Sequence, residues 1–265
     1  MRRARLGLLL LGLIALATIV GPGLMPYDPV EPDYRALYAP PSLEHPLGTD
    51  GLGRDVLTRA LAGGRVSLAV ATGGTLLALV SGLMLGVFAA QAGGALETSL
   101  VRLFDAVLAF PGFLLVLLAV VALGGGALQT ILALGLAGSP LYFRLSRAYA
   151  HKGLVAEYVV AGEALGATRQ RLLVKYVVPN FLGPLLVQGG STVATFLLVE
   201  ASLSYLGLGV PLPTPSWGNV LQDARSFLTR QPWAALGPGI FLALAALSLQ
   251  MISDGLRDGF DKSGR

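Results

Sequence analysis

Reactive side chains are scarce in this chain, and their scarcity narrows the chemistry. There is no cysteine, which removes disulfides, thiol nucleophiles and thiolate metal sites. The only lysines, Lys152, Lys175 and Lys262, follow His151, Val174 and Asp261, so none completes the Gly-Lys-Ser/Thr end of a phosphate-cradling loop. Any nucleotide hydrolysis must therefore occur on another polypeptide. His45 and His151 are far apart, and no metal site is expected from them. Gly51-Leu52-Gly53 lacks a preceding strand and a third glycine, so it is no dinucleotide fingerprint. No nucleophile and base can be paired, and no catalytic residue is assigned. What remains are isolated ionisable groups in apolar surroundings. Glu200 interrupts one long apolar run and Asp105 lies near the start of another. A carboxylate at membrane depth is costly unless it is paired or wet. Glu200 is thus either a pathway residue or a helix tie, with Ser202 or Ser204 as partner. Pro111 removes a backbone donor inside an apolar run and should kink or break it. Glu200, Asp105 and Pro111 are the candidates for a translocation pathway.

These residues must be positioned by elements suited to lipid. Apolar residues make up 54% of the chain and charged residues 13%, with a mean hydropathy of +0.70, outside the range of soluble domains. A bilayer core about 30 Å thick needs roughly 20 apolar residues per helix. Runs of that kind lie at Leu6 to Met25, Val66 to Ala92, Leu103 to Leu123, Leu128 to Tyr149, Phe181 to Leu206 and Ala234 to Ser253. The expected fold class is all-α, a polytopic membrane protein of six transmembrane helices. The first run could be a signal peptide, but it is long and Ile19-Val20-Gly21-Pro22 is a poor cleavage site. Residues 1–65 are read as an N-terminal transmembrane helix with an external segment, and residues 66–265 as a five-helix core. Gly82 and Gly86 form a small-xxx-small step for close helix packing. Gly124-Gly125-Gly126 reads as a tight turn, Arg144 and Arg147 as snorkelling side chains, and Trp217 and Trp233 as interfacial anchors.

Orientation follows from charge. With six spans, one side carries both termini, the segment before the third span and the stretch from Arg144 to Lys175. That side holds 13 of the 19 Lys and Arg residues, so it is assigned to the cytoplasm, in a cell inner membrane. Arg35, Arg54, Arg59, Arg65, Arg225 and Arg230 fall outside. The basic balance reports membrane orientation, and no nucleic-acid partner is expected. With so few buried carboxylates or histidines, a secondary transporter driven by an ion gradient is the disfavoured alternative.

The cytoplasmic stretch Glu157 to Asn180 is long for a connection. Val155, Val159, Ala161, Leu165, Leu172 and Leu173 alternate with charges, which suits short amphipathic helices at the membrane face. Gly166 sits where a helix would stop, and Pro179 suits the first turn of the fifth span.

This stretch, with its Gly166 and Pro179, resembles the E-A-A, Gly, Leu-Pro loop of binding-protein-dependent ABC importer permeases. Val160, Ala161 and Gly162 stand at the E-A-A positions, Tyr176 and Val178 at the Ile and Leu positions, and Glu163 just beyond. Further segments are similar to the C-type permease of dipeptide, oligopeptide and nickel importers: H-P-L-G-T-D-G-L-G-R-D-V from His45, R-L-F-D-A-V-L-A-F-P-G from Arg102, E-A-S-L-S-Y-L-G-L-G-V from Glu200, P-T-P-S-W-G-N from Pro213 and S-D-G-L-R-D from Ser253. The resemblance implies the type I ABC importer permease fold and an ATPase-coupling loop at about residues 150–180. Within it, Val160, Ala161, Gly162, Glu163, Ala164, Gly166, Ala167 and Pro179 are the residues implied. It also implies a second permease subunit, two ATPase subunits that bind ATP and Mg, and an external solute-binding protein. This chain would bind no cofactor itself, and the solute the resemblance implies is a di- or oligopeptide.

Overall fold

The structure is a computed structural model that describes residues 2–263, with side-chain surroundings for residues 3–259. Arg265 and the side chains of Arg2 and Lys262, which enter the charge count above, lie outside the described residues. Among the described residues there is no strand, only an isolated bridge between Thr49 and Asp55.

Helix α1 spans Arg2–Leu24 and α2 spans Val56–Ala92. The second helix begins ten residues before the apolar run, because Asp55 caps it: Oδ2 accepts the Thr58 backbone N–H at 2.7 Å. This satisfies one of the donors a helix start leaves open. The expected division at position 65 therefore falls inside a helix. Gly93, at φ +64, ends α2, and α3 (Gly94–Leu108) and α4 (Gly112–Leu123) follow. Next come α5 (Ala127–Leu154), α6 (Glu157–Ala164) and α7 (Arg169–Leu172). A π-helical turn at Leu173–Val177 joins α7 to α8 (Val178–Tyr205). The chain closes with α9 (Trp217–Arg225) and α10 (Trp233–Ser263).

Six uniform apolar spans are not what forms. Four helices are long and apolar enough to cross a membrane, α1, α2, the run Arg169–Tyr205 and α10, or five if α3 and α4 count as one broken span. The expected helix Leu103 to Leu123 is bent by 91°. Pro111 is the cause: it has no N–H, and its ring pushes Phe110 out of helical backbone. Alone, α4 is about 18 Å long at 1.5 Å per residue, short of a bilayer core. Helix α5 is long enough but carries Arg144, Arg147, His151 and Lys152 near its end, and it fails on apolarity. The bent pair nonetheless follows the length of α5. Glu97 of α3 meets Arg147 and His151 at one end of α5, whereas Gly126 donates to the Gly209 carbonyl at the other. The bent pair thus runs end to end. Antiparallel packing of α1 on α10, with Ala4 against Gly255, puts the start of α1 and the close of α10 at the same end as α6 and α7.

Helix α2 packs most extensively on α5. A Cβ on Gly82 would lie 2.5 Å from Tyr142 Cβ and 2.6 Å from the Ser139 carbonyl, and one on Gly86 would lie 2.5 Å from the Phe143 carbonyl. Gly74, Ala78, Gly82 and Gly86 recur every four residues and form one smooth face. The small-xxx-small step is thus a seam where two backbones touch. Tyr142, fully buried, then donates from its hydroxyl to Thr192 Oγ1 at 2.9 Å, linking α5 to α8.

Gly82→Leu should therefore separate α2 from α5, lowering stability by at least the ~1–3 kcal/mol typical of overpacking. Gly12→Leu should be neutral, since nothing lies within 4 Å of a Cβ there. Thermal unfolding midpoints of the detergent-purified variants check this, and equal midpoints would refute the seam.

Candidate functional site

The coupling-loop candidates fold into a compact spur at the end that holds both described termini. Helix α6 closes with two backbone bonds, Gly166 N–H to Glu163 O at 2.9 Å and Ala167 N–H to Gly162 O at 3.0 Å. With Gly166 at φ +85, this is the Schellman termination, which requires a left-handed residue. Thr168 then caps α7, its hydroxyl accepting the Arg171 N–H at 3.4 Å.

The spur's apolar residues do not form a single stripe. Val159, Leu172 and Leu173 are sealed against the bundle, while Val155, Val160 and Leu165 stand out, Leu165 at 89% exposure. Ala161, Glu163 and Ala164 are exposed beside them, and Ala167 is half-buried. Gly162 and Gly166 serve different ends. A Cβ on Gly162 would press to 2.7 Å from Leu172, whereas one on Gly166 meets nothing within 4 Å. Gly162 lets α6 lie on α7; Gly166 only turns the backbone.

Pro179 falls in the first turn of the fifth span's helix as expected, but that helix does not begin afresh there. The run Arg169–Tyr205 is continuous, and Pro179 lies in the first turn of α8 immediately after the π turn. The wider π turn, in which Val178 N–H reaches the Leu173 carbonyl, makes room for a ring that would collide with the carbonyl four residues back.

The pathway candidates separate. Asp105 pairs with Arg144 at 2.6 Å, both about half exposed, and Glu97 pairs with Arg147 at 2.5 Å and His151 at 2.6 Å. Arg144 and Arg147 therefore hold α3 to α5 instead of snorkelling. The Phe104 and Phe143 rings stack at 4.2 Å in the same seam. Pro111 marks the break before α4.

Glu200 is fully buried. Its Oε1 accepts from Ser204 Oγ at 2.8 Å, while Ser202 turns to the Leu198 carbonyl. Ser67 of α2 and Ser216, which caps α9, lie beside the same carboxyl. Both hydroxyls accept backbone N–H groups, from Trp217 and Asn219, so their protons are free to turn toward Glu200, whose Oε2 has no partner in hydrogen-bond geometry. The structure thus places Glu200 where α2, α8 and α9 meet. Trp217 completes this knot: it is fully buried, and its indole N–H donates to the Ala60 carbonyl at 2.8 Å. It is a core residue, not an interfacial anchor.

Next to this knot lies an ionic cluster that sequence reasoning missed. Arg54 Nε is 2.8 Å from Asp50 Oδ2, and Arg54 and Arg59 reach Asp223 Oδ2 at 3.1 and 3.0 Å. Arg59 Nε is 3.4 Å from Asp50, an electrostatic contact without hydrogen-bond geometry. Arg59 also donates to the Pro29 carbonyl. Burial raises the Asp223 carboxyl above the usual range despite both guanidinium groups. The cluster clamps the segment between α1 and α2 onto α9. Asp50-x3-Arg54-x4-Arg59 carries helix-like spacing, but Asp223 is 164 residues from Arg59, and no local pattern announces it.

The sequence model of the binding-protein-dependent transport system inner membrane component matches residues 82–265. That of the N-terminal TM domain of oligopeptide transport permease C matches residues 2–41. The chain is 37% identical to the di/tripeptide transport system permease protein DppC of Pseudomonas aeruginosa, over 96% of this chain and 86% of that protein. It is 38% identical to a candidate peptide permease of Brucella suis, over 98% and 87%. A Brucella ovis counterpart shows the same identity and coverage.

Glu200→Leu should strand the Ser67, Ser204 and Ser216 hydroxyls, at about 1–3 kcal/mol for each buried group left unpaired. Glu200→Gln keeps an acceptor and should lose much less. Comparing thermal midpoints tests the tie; a Leu variant as stable as the Gln variant would dissolve it.

Proposed function

We propose a function from one premise: the chain belongs to the family of binding-protein-dependent transport system inner membrane components. It is a multi-pass inner-membrane permease of an ABC importer, a transport component and not an enzyme. Its solute is assigned as short peptides, di- or oligopeptides. Support comes from relatives named for di/tripeptide and peptide transport that align over nearly the whole chain.

The importer would comprise this chain, a second permease, two ATPases carrying ATP and Mg, and an external solute-binding protein. The observation that carries the coupling role is the α6 spur. It is short, rigidly terminated at Gly166, and it turns Val160 and Leu165 away from the bundle. A lipid-facing helix would gather its apolar residues on one side. Here they occupy two, one for the bundle and one for a docked ATPase. Val160, Ala161, Glu163, Ala164 and Leu165 form the docking face, with Gly162, Ala167 and Pro179 as its support.

Both termini and the spur are placed in the cytoplasm. Three of the six arginines at the opposite end are already engaged: Arg54 and Arg59 in the cluster, and Arg65 on the Thr18 and Ile19 carbonyls in the C-terminal part of α1. The assignment rests on the excess of Lys and Arg, 13 of 19, at the end that holds the spur. Alternating access would be driven by ATP on the partner subunits. Glu200, tied among three helices, fits a rigid joint better than a proton relay.

Two outcomes are expected. Cysteine placed at exposed Gln170 should be protected from an impermeant thiol reagent in intact cells, and cysteine at exposed Thr214 should be labelled; the reverse would invert the orientation. Gly166→Val adds a β-branched residue at positive φ, a strain of about 1–2 kcal/mol. It should insert at normal abundance, yet lose most ATPase association and solute-stimulated hydrolysis in the reconstituted importer. Normal stimulation would remove the spur from the coupling path.

A further inference from the structure

A cavity of about 310 Å³ opens between α8 and α10, at the level of their halves nearer the chain termini, with α5 as an apolar wall. Apart from Pro184 and Val187 of α8, its remaining lining is polar: Gln188, Ser191, Gln250, Ser253, Asp254 and Arg257. Sequence reading places Gln188 and Gln250 inside apolar spans, where nothing marks them as neighbours. Side chains of this kind are unfavourable toward lipid, and they persist where they face water or a solute.

Three features suit a ligand. Ser253 is 2% exposed, and its hydroxyl has no hydrogen-bond partner among the described residues. A Cβ on Gly190 would come within 2.2 Å of that hydroxyl, so α8 closes the floor without filling the space. Asp254 accepts from Gln250 Nε2 at 3.0 Å. Arg257, one turn further along, has no carboxylate partner among the described residues.

The charges have a length scale. Residues three apart on a helix hold their Cβ atoms about 5–6 Å apart, and an extended dipeptide spans at most roughly 7 Å. The volume lies at the small end of ligand pockets. One anionic and one cationic group at that spacing match the two charged ends of a free dipeptide, whatever its side chains.

We infer that this cavity is a zwitterion subsite for short peptides on the inner half of the pathway, with Asp254 facing the α-amino group, Arg257 the carboxylate, and Ser253 and Gln188 the peptide amide. The inference rests on the peptide-permease reading above.

The chain lacks cysteine, so Val187→Cys on the cavity wall gives a single reporter on this subunit, whose labelling is read on its own gel band. Inside-out vesicles carrying the complete importer, without ATP, are treated with a small methanethiosulfonate in the presence of alanyl-phenylalanine or its N-acetylated, C-amidated form. The free dipeptide should slow labelling about tenfold and the blocked form should not. Asp254→Asn or Arg257→Gln should each remove most of that protection, on the scale of one lost charge-assisted hydrogen bond. Equal protection by both peptides, or none in vesicles that transport the dipeptide, would overturn the subsite and leave the function standing. Failure of the complete importer to transport any peptide would instead overturn the functional reading itself.

Discussion

Everything in this molecule depends on how closely two helices can approach in a solvent that gives them no hydrophobic reason to do so. Lipid tails are as apolar as leucine, so association depends on van der Waals contact and buried hydrogen bonds. The face of Gly74, Ala78, Gly82 and Gly86 on α2 meets that requirement by bringing its backbone against α5 at Ser139 and Phe143. Tyr142, held in the seam, extends the contact to α8 through Thr192. The central helices α2, α5 and α8 thereby become one body, and α1, α9 and α10 are arranged around it.

The two ends of that body are built on different physics. At the end far from the termini, polar groups are buried and paired: the Glu200 knot, the Trp217 indole and the cluster of Arg54, Arg59, Asp50 and Asp223. Breaking one partner of such a set leaves a charge without compensation, which is what makes it rigid. At the other end the ion pairs are more exposed, as with Asp105 and Arg144, and contribute little each. Apolar side chains there stand in the open on α6. The bundle thus has one end locked by buried polar contacts and another that leaves apolar side chains exposed.

Backbone breaks in the chain each have a chemical cause. Pro111 separates α3 from α4, Pro179 is accommodated by a π turn, and Gly166 lets α6 stop with its carbonyls satisfied. Irregular backbone at membrane depth needs its polar groups met by protein or water. The break before α4 meets part of that need with the bonds from Ala109 to Asp105 and from Phe110 to Val107.

The sequence by itself determined the class of protein, the rough position of the long apolar helices α1, α2, α8 and α10, the Pro111 break and the helix stop at Gly166. These follow from composition, run length and the conformational limits of proline and glycine, which act locally. It did not reveal that α2 starts at Val56, that Trp217 is core, that Asp105 is paired with Arg144, or that Gln188, Gln250 and Arg257 share a cavity. Nor did it separate the two readings of Glu200. Those facts are set by contacts between residues far apart in the chain, where spacing carries no signal. Only the packed bundle decides which polar side chain meets a partner and which is left facing a space.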